Sequence, residues 1–173
     1  ASCLVGSEMC IRDSIYNILD SNLKKKDVEI IVKFRHLVKL INTDRKILKQ
    51  IITNIIHNAV KFTIKGAITV ITKTLKNNRL VIIIKDTGIG IEEDKLDKIF
   101  NRYEKYMIFE NPNIVSCDGL GIGLNIVQNA IKLLNGHISV ESKVDVGTKF
   151  TINIPVNFIN SDKLDIIDDV IKK

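Results

Sequence analysis

The chain has 173 residues, with 26 Lys and Arg against 20 Asp and Glu, for a formal charge of +6. That length suits one domain with a short appendage and is enough to bury a core without disulfide or metal staples. A content of 45% hydrophobic and 27% charged residues excludes an intrinsically disordered chain, and the run Leu80–Ile84 falls far short of the about 20 apolar residues that a membrane span requires.

Residues 1–13 differ in composition from the Ile-, Lys- and Asn-rich remainder. They read as a non-native segment, resembling a translated adapter fragment, with an upstream continuation of the protein expected. No signal peptide is read there. The three cysteines, Cys3, Cys10 and Cys117, lack CxxC spacing, so neither a disulfide framework nor a zinc site is expected and a reducing compartment is. Ser14 can cap a short helix bearing Ile15, Ile18 and Leu19, and Lys24–Lys26 reads as its solvated end. Val28–Phe34 is rich in β-branched residues and predicts a strand, with a second, short one at Leu37–Ile41. Asn42, Thr43 and Asp44 then offer caps for a long helix over about Asp44–Phe62.

Gly66–Leu75 alternates like a strand with one wet face, Asn77-Asn78 marks a turn, and Arg79–Lys85 reads as a buried or central strand. Together they predict a β-hairpin. A glycine loop follows at Asp86–Ile91, and Glu92–Phe100 places Leu96, Ile99 and Phe100 at helical spacing. Asn101–Asp118 has no clear period, and a loop of that length in a compact domain is usually functional or mobile. Gly119–Gly123 opens a helix bearing Leu124, Val127, Ile131 and Leu134, which Asn135-Gly136 ends. His137–Ser142 and Thr148–Ile154 read as strands joined by a turn at Val144–Gly147. Pro155 is expected to close the domain, leaving 156–173 as a charged tail or linker.

Three features carry chemistry. On a helical wheel Gln50, Asn54, His57, Asn58 and Lys61 fall in one narrow sector, while Ile51, Ile52, Ile55, Ile56, Ala59, Val60 and Phe62 fill the rest. Two amides and an ammonium suit a metal-phosphate group, because an Asn oxygen can ligate hard Mg²⁺ and Lys can reach phosphate; plain solvent exposure also suits such a stripe. Asp86-Thr87-Gly88-Ile89-Gly90 follows the buried strand. An acid there can accept from an exocyclic amine while glycines admit a flat ring, though the same pattern also makes an ordinary turn. Gly119-Leu120-Gly121-Ile122-Gly123 opens a helix, where amides can seat phosphate. It fits neither a dinucleotide fingerprint nor a Walker A loop, and no Ser/Thr/Tyr-kinase signature is present.

The order of these features is more specific than any one of them. Asn54-x-x-x-Asn58-x-x-Lys61-Phe62 precedes Asp86-x-Gly88-x-Gly90. Ile99-Phe100-Asn101-Arg102-Tyr103-Glu104-Lys105, Gly119-x-Gly121-x-Gly123-Leu124 and Gly147-Thr148 follow. The set resembles the N, G1, F and G2 boxes of the ATP-binding catalytic domain of sensor histidine kinases, in the GHKL superfamily, over about Ser14 to Pro155. The resemblance implies a two-layer α/β sandwich of the Bergerat type, a mixed sheet with helices on one face and a mobile ATP lid. It implies ATP and Mg²⁺ as ligands, with Asn58 as the metal ligand, Asn54 on the phosphate side, Lys61 and Lys105 at the phosphates, and Phe62 near the base or ribose. Asp86 would accept from the adenine amine, with Gly88, Ile89 and Gly90 along the base. Gly119, Leu120, Gly121, Ile122, Gly123 and Leu124 would form the lid hinge and phosphate seat, and Thr148 would support the adenine end. Asn54 and Lys105 would be the catalytic pair. His57 and Glu104 depart from the family pattern and put activity, more than fold, in question.

The implied reaction is transfer of the γ-phosphoryl of ATP to a histidine imidazole, a step that rests on positioning and charge neutralisation. His36, His57 and His137 do not sit in a helical His-Glu/Asp motif, so the acceptor belongs to a separate dimerisation domain, with a response-regulator receiver as the further partner. Nucleic acid and direct membrane contact are not expected. Cytoplasmic placement is, whether or not the full protein is membrane-anchored. Two alternatives remain: a degenerate module that only binds nucleotide, and another GHKL ATPase acting as an ATP-gated switch. The latter carries a Glu at the Asn54 position, and Asn cannot act as that base.

Overall fold

Alternation along the strands sorts this chain into a wet face and a dry face, and the dry face is where the helices pack. The computed structural model describes residues 3–5, 27–35, 40–75, 77–102 and 121–159. In chain order these form β1 (Cys3–Val5), β2 (Asp27–Arg35), β3 (Leu40–Thr43), α1 (Arg45–Phe62), β4 (Lys65–Leu75), β5 (Arg79–Asp86), a 3₁₀ turn (Glu93–Lys95), α2 (Gly123–Leu133), β6 (His137–Lys143), β7 (Gly147–Pro155) and β8 (Asn157–Ile159). The main sheet has the order β2-β4-β5-β7-β6; β2 and β4 run parallel and the other pairs antiparallel. Parallel neighbours need a crossover connection, and α1 lies within it. A small antiparallel sheet has the order β1-β3-β8.

The register puts one row of each strand on the helix side. Ile30 pairs with Ile68, Val70 with Ile84, Leu80 with Ile154, Ile82 with Ile152, and Ile138 with Ile152. Leu80, Ile82 and Ile84 on the central strand are fully buried. They form one cluster with Ile51, Ile52, Ile55, Ile56 and Ala59 of α1 and Val127, Ala130 and Ile131 of α2. The predicted hairpin is β4–β5, and Asn78 closes its turn at φ 57°, a left-handed conformation that Asn tolerates well. The chain is thus a mixed five-stranded sheet with helices on one face, as the resemblance implies.

Asp44 starts α1 as its cap. One carboxylate oxygen accepts from the Lys46 and Ile47 amides at 2.8 and 3.0 Å, and these bonds hold its carboxyl below the ordinary carboxylate value. α2 ends at Asn135-Gly136 as the sequence suggests. Asn135, not Gly136, takes the left-handed position at φ 52°, while the Asn135 and Gly136 amides donate back to Lys132 and Ile131. Gly136 is needed for space: a Cβ there would crowd Ile154 and Ile131 side chains.

Two expectations are corrected. Glu92–Phe100 does not form an α-helix. It forms the 3₁₀ turn and two further turns, with the Lys98 amide donating to Lys95 and the Asn101 amide to Lys98, because its apolar residues anchor the segment only through Ile99 and Phe100. Pro155 does not end the packed chain. Val156 is buried and its amide donates to the Asn78 carbonyl, after which β8 pairs with β3. Cys3–Val5, inside the segment set aside above, pairs with β3 as well. The helix expected from Ser14, most of the loop Asn101–Asp118 and residues 160–173 lie outside the described residues.

Candidate functional site

The alternation that buries Leu80, Ile82 and Ile84 carries one step further to Asp86, so the carboxylate falls on the helix side at the end of the central strand. Asp86 is only 6% exposed. Its Oδ1 accepts from the Gly88 amide at 2.9 Å and the Thr148 amide at 3.3 Å. Its Oδ2 takes no partner among the described residues. Burial pushes the Asp86 carboxyl above its ordinary value, and the two amide bonds pull against that shift without cancelling it.

The end of α1 fixes where the glycine loop lies. A helix leaves its last carbonyls without helical partners. The Phe62 carbonyl accepts from the Ile89 amide at 3.2 Å, which draws the loop onto the helix end. A Cβ at Gly88 would collide with that same Phe62 carbonyl and stand 2.9 Å from the Asp86 carboxylate, so only glycine fits. On the other side, the Ile89 carbonyl accepts from the Asp145 amide at 2.8 Å, joining the loop that ends at Gly90 to the β6–β7 turn. Gly147 begins β7 at φ 122°, and a Cβ there would strike the Asp86 carbonyl.

The polar stripe of α1 runs away from this corner. Asn58 lies one turn before Phe62 and Asn54 one turn further back. Asn54, Asn58, Lys61 and Phe62 are half-buried, whereas Gln50 and His57 are exposed. The Lys61 Nζ stands 5.1 Å from the Phe62 ring centroid, a cation–π contact. The Asn54 Nδ2 donates to the Gln50 carbonyl at 2.9 Å. Its Oδ1 faces α2, 3.3 Å from where a Gly123 Cβ would stand. The α2 N-cap, Ile122, makes no side-chain cap bond, and its carbonyl accepts the first helical bond from Ile126. The sequence-expected residues therefore converge along one helix. Asp86, Gly88, Ile89, Gly90 and Thr148 gather at its C-terminal end, Asn58, Lys61 and Phe62 lie along it, and Asn54 meets Gly123 beside Gly121, Ile122 and Leu124. Lys105, Gly119, Leu120, Glu104 and His36 lie outside the described residues.

Two polar residues escape sequence reasoning. The Ser142 Oγ accepts from the Ile91 amide at 2.9 Å, lies 3.0 Å from the Gly147 carbonyl and 2.9 Å from the Thr148 hydroxyl. The signal was available in the row Ile138, Val140, Ser142, whose inward alternation ends on a hydroxyl. Asn125 on α2 donates to the Phe100 carbonyl and accepts from the Arg102 Nε, both at 3.0 Å, tying the phenylalanine segment to the helix. Nothing in local periodicity marks Asn125, because Phe100 and Arg102 are more than twenty residues away; only Asn129, donating to it at 3.2 Å, is local.

The donor set fits a nucleotide with a hard metal ion: a carboxylate oxygen without a partner among the described residues beside glycines, and running away from it along α1 the Lys61 ammonium and the Asn58 and Asn54 amide oxygens. Among the described residues no group of three or more His, Cys, Asp or Glu could hold a metal ion, and the Asn58 amide oxygen is of a kind that can ligate Mg²⁺.

Comparison with known proteins agrees with this geometry. The profile of the histidine kinase-, DNA gyrase B- and HSP90-like ATPases matches residues 43–157. The sensor histidine kinase AtsR of Burkholderia thailandensis is 32% identical over 146 residues, covering 83% of this chain and 22% of that protein. The autoinducer 2 sensor kinase/phosphatase LuxQ of Vibrio parahaemolyticus is 36% identical over 149 residues, covering 83% of this chain and 17% of that protein. The chain thus spans about a fifth of the length of the curated relatives it matches. Full-length ShkA in complex with AMPPNP superposes with a TM-score of 0.79 at 25% identity, over 93% of this chain and 32% of that one. The catalytic domain of histidine kinase ThkA superposes at 0.74 over 90% of this chain and 95% of that one; at 21% identity it shows the shared fold. The chain belongs to the family of histidine kinase-, DNA gyrase B- and HSP90-like ATPases, and its relatives place it with the ATP-binding catalytic domains of sensor histidine kinases.

Proposed function

We propose that this chain binds Mg-ATP and passes its γ-phosphoryl to a histidine on a separate dimerisation domain, with a receiver domain as the next partner. The observation that carries this reading is Asp86: a buried carboxylate with one oxygen held by two backbone amides and the other open, at the glycine-lined end of the α1 stripe. Asp86 accepts from the adenine amine, with Gly88, Ile89 and Gly90 along the ring and Thr148 beneath it. Asn58 holds the metal ion, which supplies charge neutralisation at the phosphates. Asn54, Lys61 and Lys105 orient the phosphates, and the 119–124 segment supplies backbone amides. Asn54 is an amide and cannot deprotonate water, which favours transfer over hydrolysis. Among the described residues no helix is long and apolar enough to cross a membrane.

Calorimetry with Mg-ATP, followed by phosphotransfer to an added histidine-containing acceptor domain, tests the reading. Binding followed by transfer is the expected result. Binding without transfer would reveal a nucleotide-binding module, sustained hydrolysis an ATP-gated switch, and no binding would overturn the site.

A further inference from the structure

We infer that Ser142 is a specificity-determining residue: it locks the Thr148 hydroxyl as an acceptor, so that the base end of the site selects adenine over guanine. The inference rests on the ATP-binding reading above and deepens it.

The argument is one of hydrogen-bond valence. A serine hydroxyl has one proton to give and two lone pairs to receive with. The Gly147 carbonyl, 3.0 Å from Ser142 Oγ, can only accept, so it takes the Ser142 proton. The Ile91 amide, at 2.9 Å, can only donate, so it takes one lone pair. The Thr148 Oγ1, at 2.9 Å, is then left to donate into the second lone pair. Ser142 is saturated, and Thr148 has spent its only proton. What Thr148 keeps is lone pairs.

Thr148 and Ser142 are register partners, and Thr148 leads the inward row that continues to Phe150 and Ile152. Thr148 also donates its amide to the Asp86 carboxylate. Among the described residues, the two side chains of the corner therefore present acceptors: the open Asp86 oxygen and the Thr148 hydroxyl oxygen. An adenine edge offers a two-proton amine and satisfies both. A guanine edge offers a carbonyl oxygen there, which meets two acceptors and gains nothing; buried polar groups left unpaired are what make such a site discriminate. Without Ser142 the Thr148 hydroxyl is free to turn and donate. A donor beside the Asp86 acceptor is the pattern that guanine's carbonyl and ring N–H complete.

The test is calorimetric affinity for Mg-ATP and Mg-GTP on the chain and on four variants: three single substitutions and one double. The wild type is expected to prefer ATP, and Ser142→Ala to lower the ATP-to-GTP affinity ratio by about tenfold. Ser142→Thr, which restores the hydroxyl, is expected to restore the ratio. Thr148→Val removes the relayed group; in that background Ser142→Ala is expected to leave the ratio unchanged, because the two act through one atom. If Ser142→Ala weakens both nucleotides equally, Ser142 merely braces the loop and the proposal is wrong. A ratio change that persists in the Thr148→Val background overturns it too. Should Ser142→Ala not fold, an unchanged ratio in Thr148→Val alone is enough to reject it. Failure of the wild type to bind ATP would instead sink the underlying site assignment, and this inference with it.

Discussion

The C-terminal end and the middle of α1 are built from different materials. At its C-terminal end the backbone does the work: Asp86 Oδ1 is held by the Gly88 and Thr148 amides, Ile89 bonds Phe62, and a side chain at Gly88 or Gly147 would strike a backbone carbonyl. Near its middle, where Asn54 meets α2, side chains do it. Among the described residues a Cβ at Gly123 would meet only the Asn54 side chain, and the α2 cap residue Ile122 makes no side-chain bond. A rigid, backbone-built corner suits the reading of a flat base by a few fixed hydrogen bonds. A looser region, where the α2 cap residue makes no side-chain bond, suits a flexible, charged triphosphate.

Four experiments break or sharpen that contrast. The largest effect is expected for Gly147→Ala, which combines a left-handed φ with a backbone collision beside Asp86 and should cost about 2–4 kcal/mol of stability in thermal unfolding. A small shift would show the corner to be softer than its geometry.

Asp86→Asn comes next. It places an amide where an acceptor is needed and should weaken ATP binding by about 10- to 100-fold with the fold retained. The pH dependence has a definite sign. Because the folded-state carboxyl is raised above its unfolded value of 3.8, its contribution to stability is complete below that value and is lost as pH rises through the raised one. The Asn variant should lack that loss in pH-dependent unfolding. ATP affinity should run the other way in the wild type, falling as acid protonates Asp86.

Asn58→Ala should reduce Mg-ATP affinity by about tenfold and abolish its Mg²⁺ dependence, leaving metal-free nucleotide binding nearly unchanged. Retained Mg²⁺ dependence would move the metal from α1. The smallest effect on stability is expected for Gly123→Ala, within about 0.5 kcal/mol, since helix propensity rises while only a flexible amide must give way. A loss as large as that of Gly147→Ala would erase the distinction between the two regions.

Much of this was legible in the chain before any coordinates. The wheel of α1 separates its seven buried residues from Asn54, Asn58 and Lys61 because a single helix face reports its own periodicity. Asp86 was legible because a continuous apolar strand that ends on an acid, followed by glycines, leaves few places for that acid to go. The segment around Phe100 was misread as a helix because Leu96, Ile99 and Phe100 stand at a spacing that mimics a period, while its actual partner, Asn125, is remote in sequence.

What the sequence alone determined, then, is the set of local elements and the identity of the groups they carry, since caps, alternation and helical stripes act within a few residues. What only the tertiary structure decided is how those groups meet: the parallel pairing of β2 with β4, the continuation past Pro155 into β8, and the meeting of Ser142, Ile91, Gly147 and Thr148 behind Asp86. Register between distant strands sets these contacts, and a one-residue slip would turn Ser142 and Thr148 to the other face of the sheet.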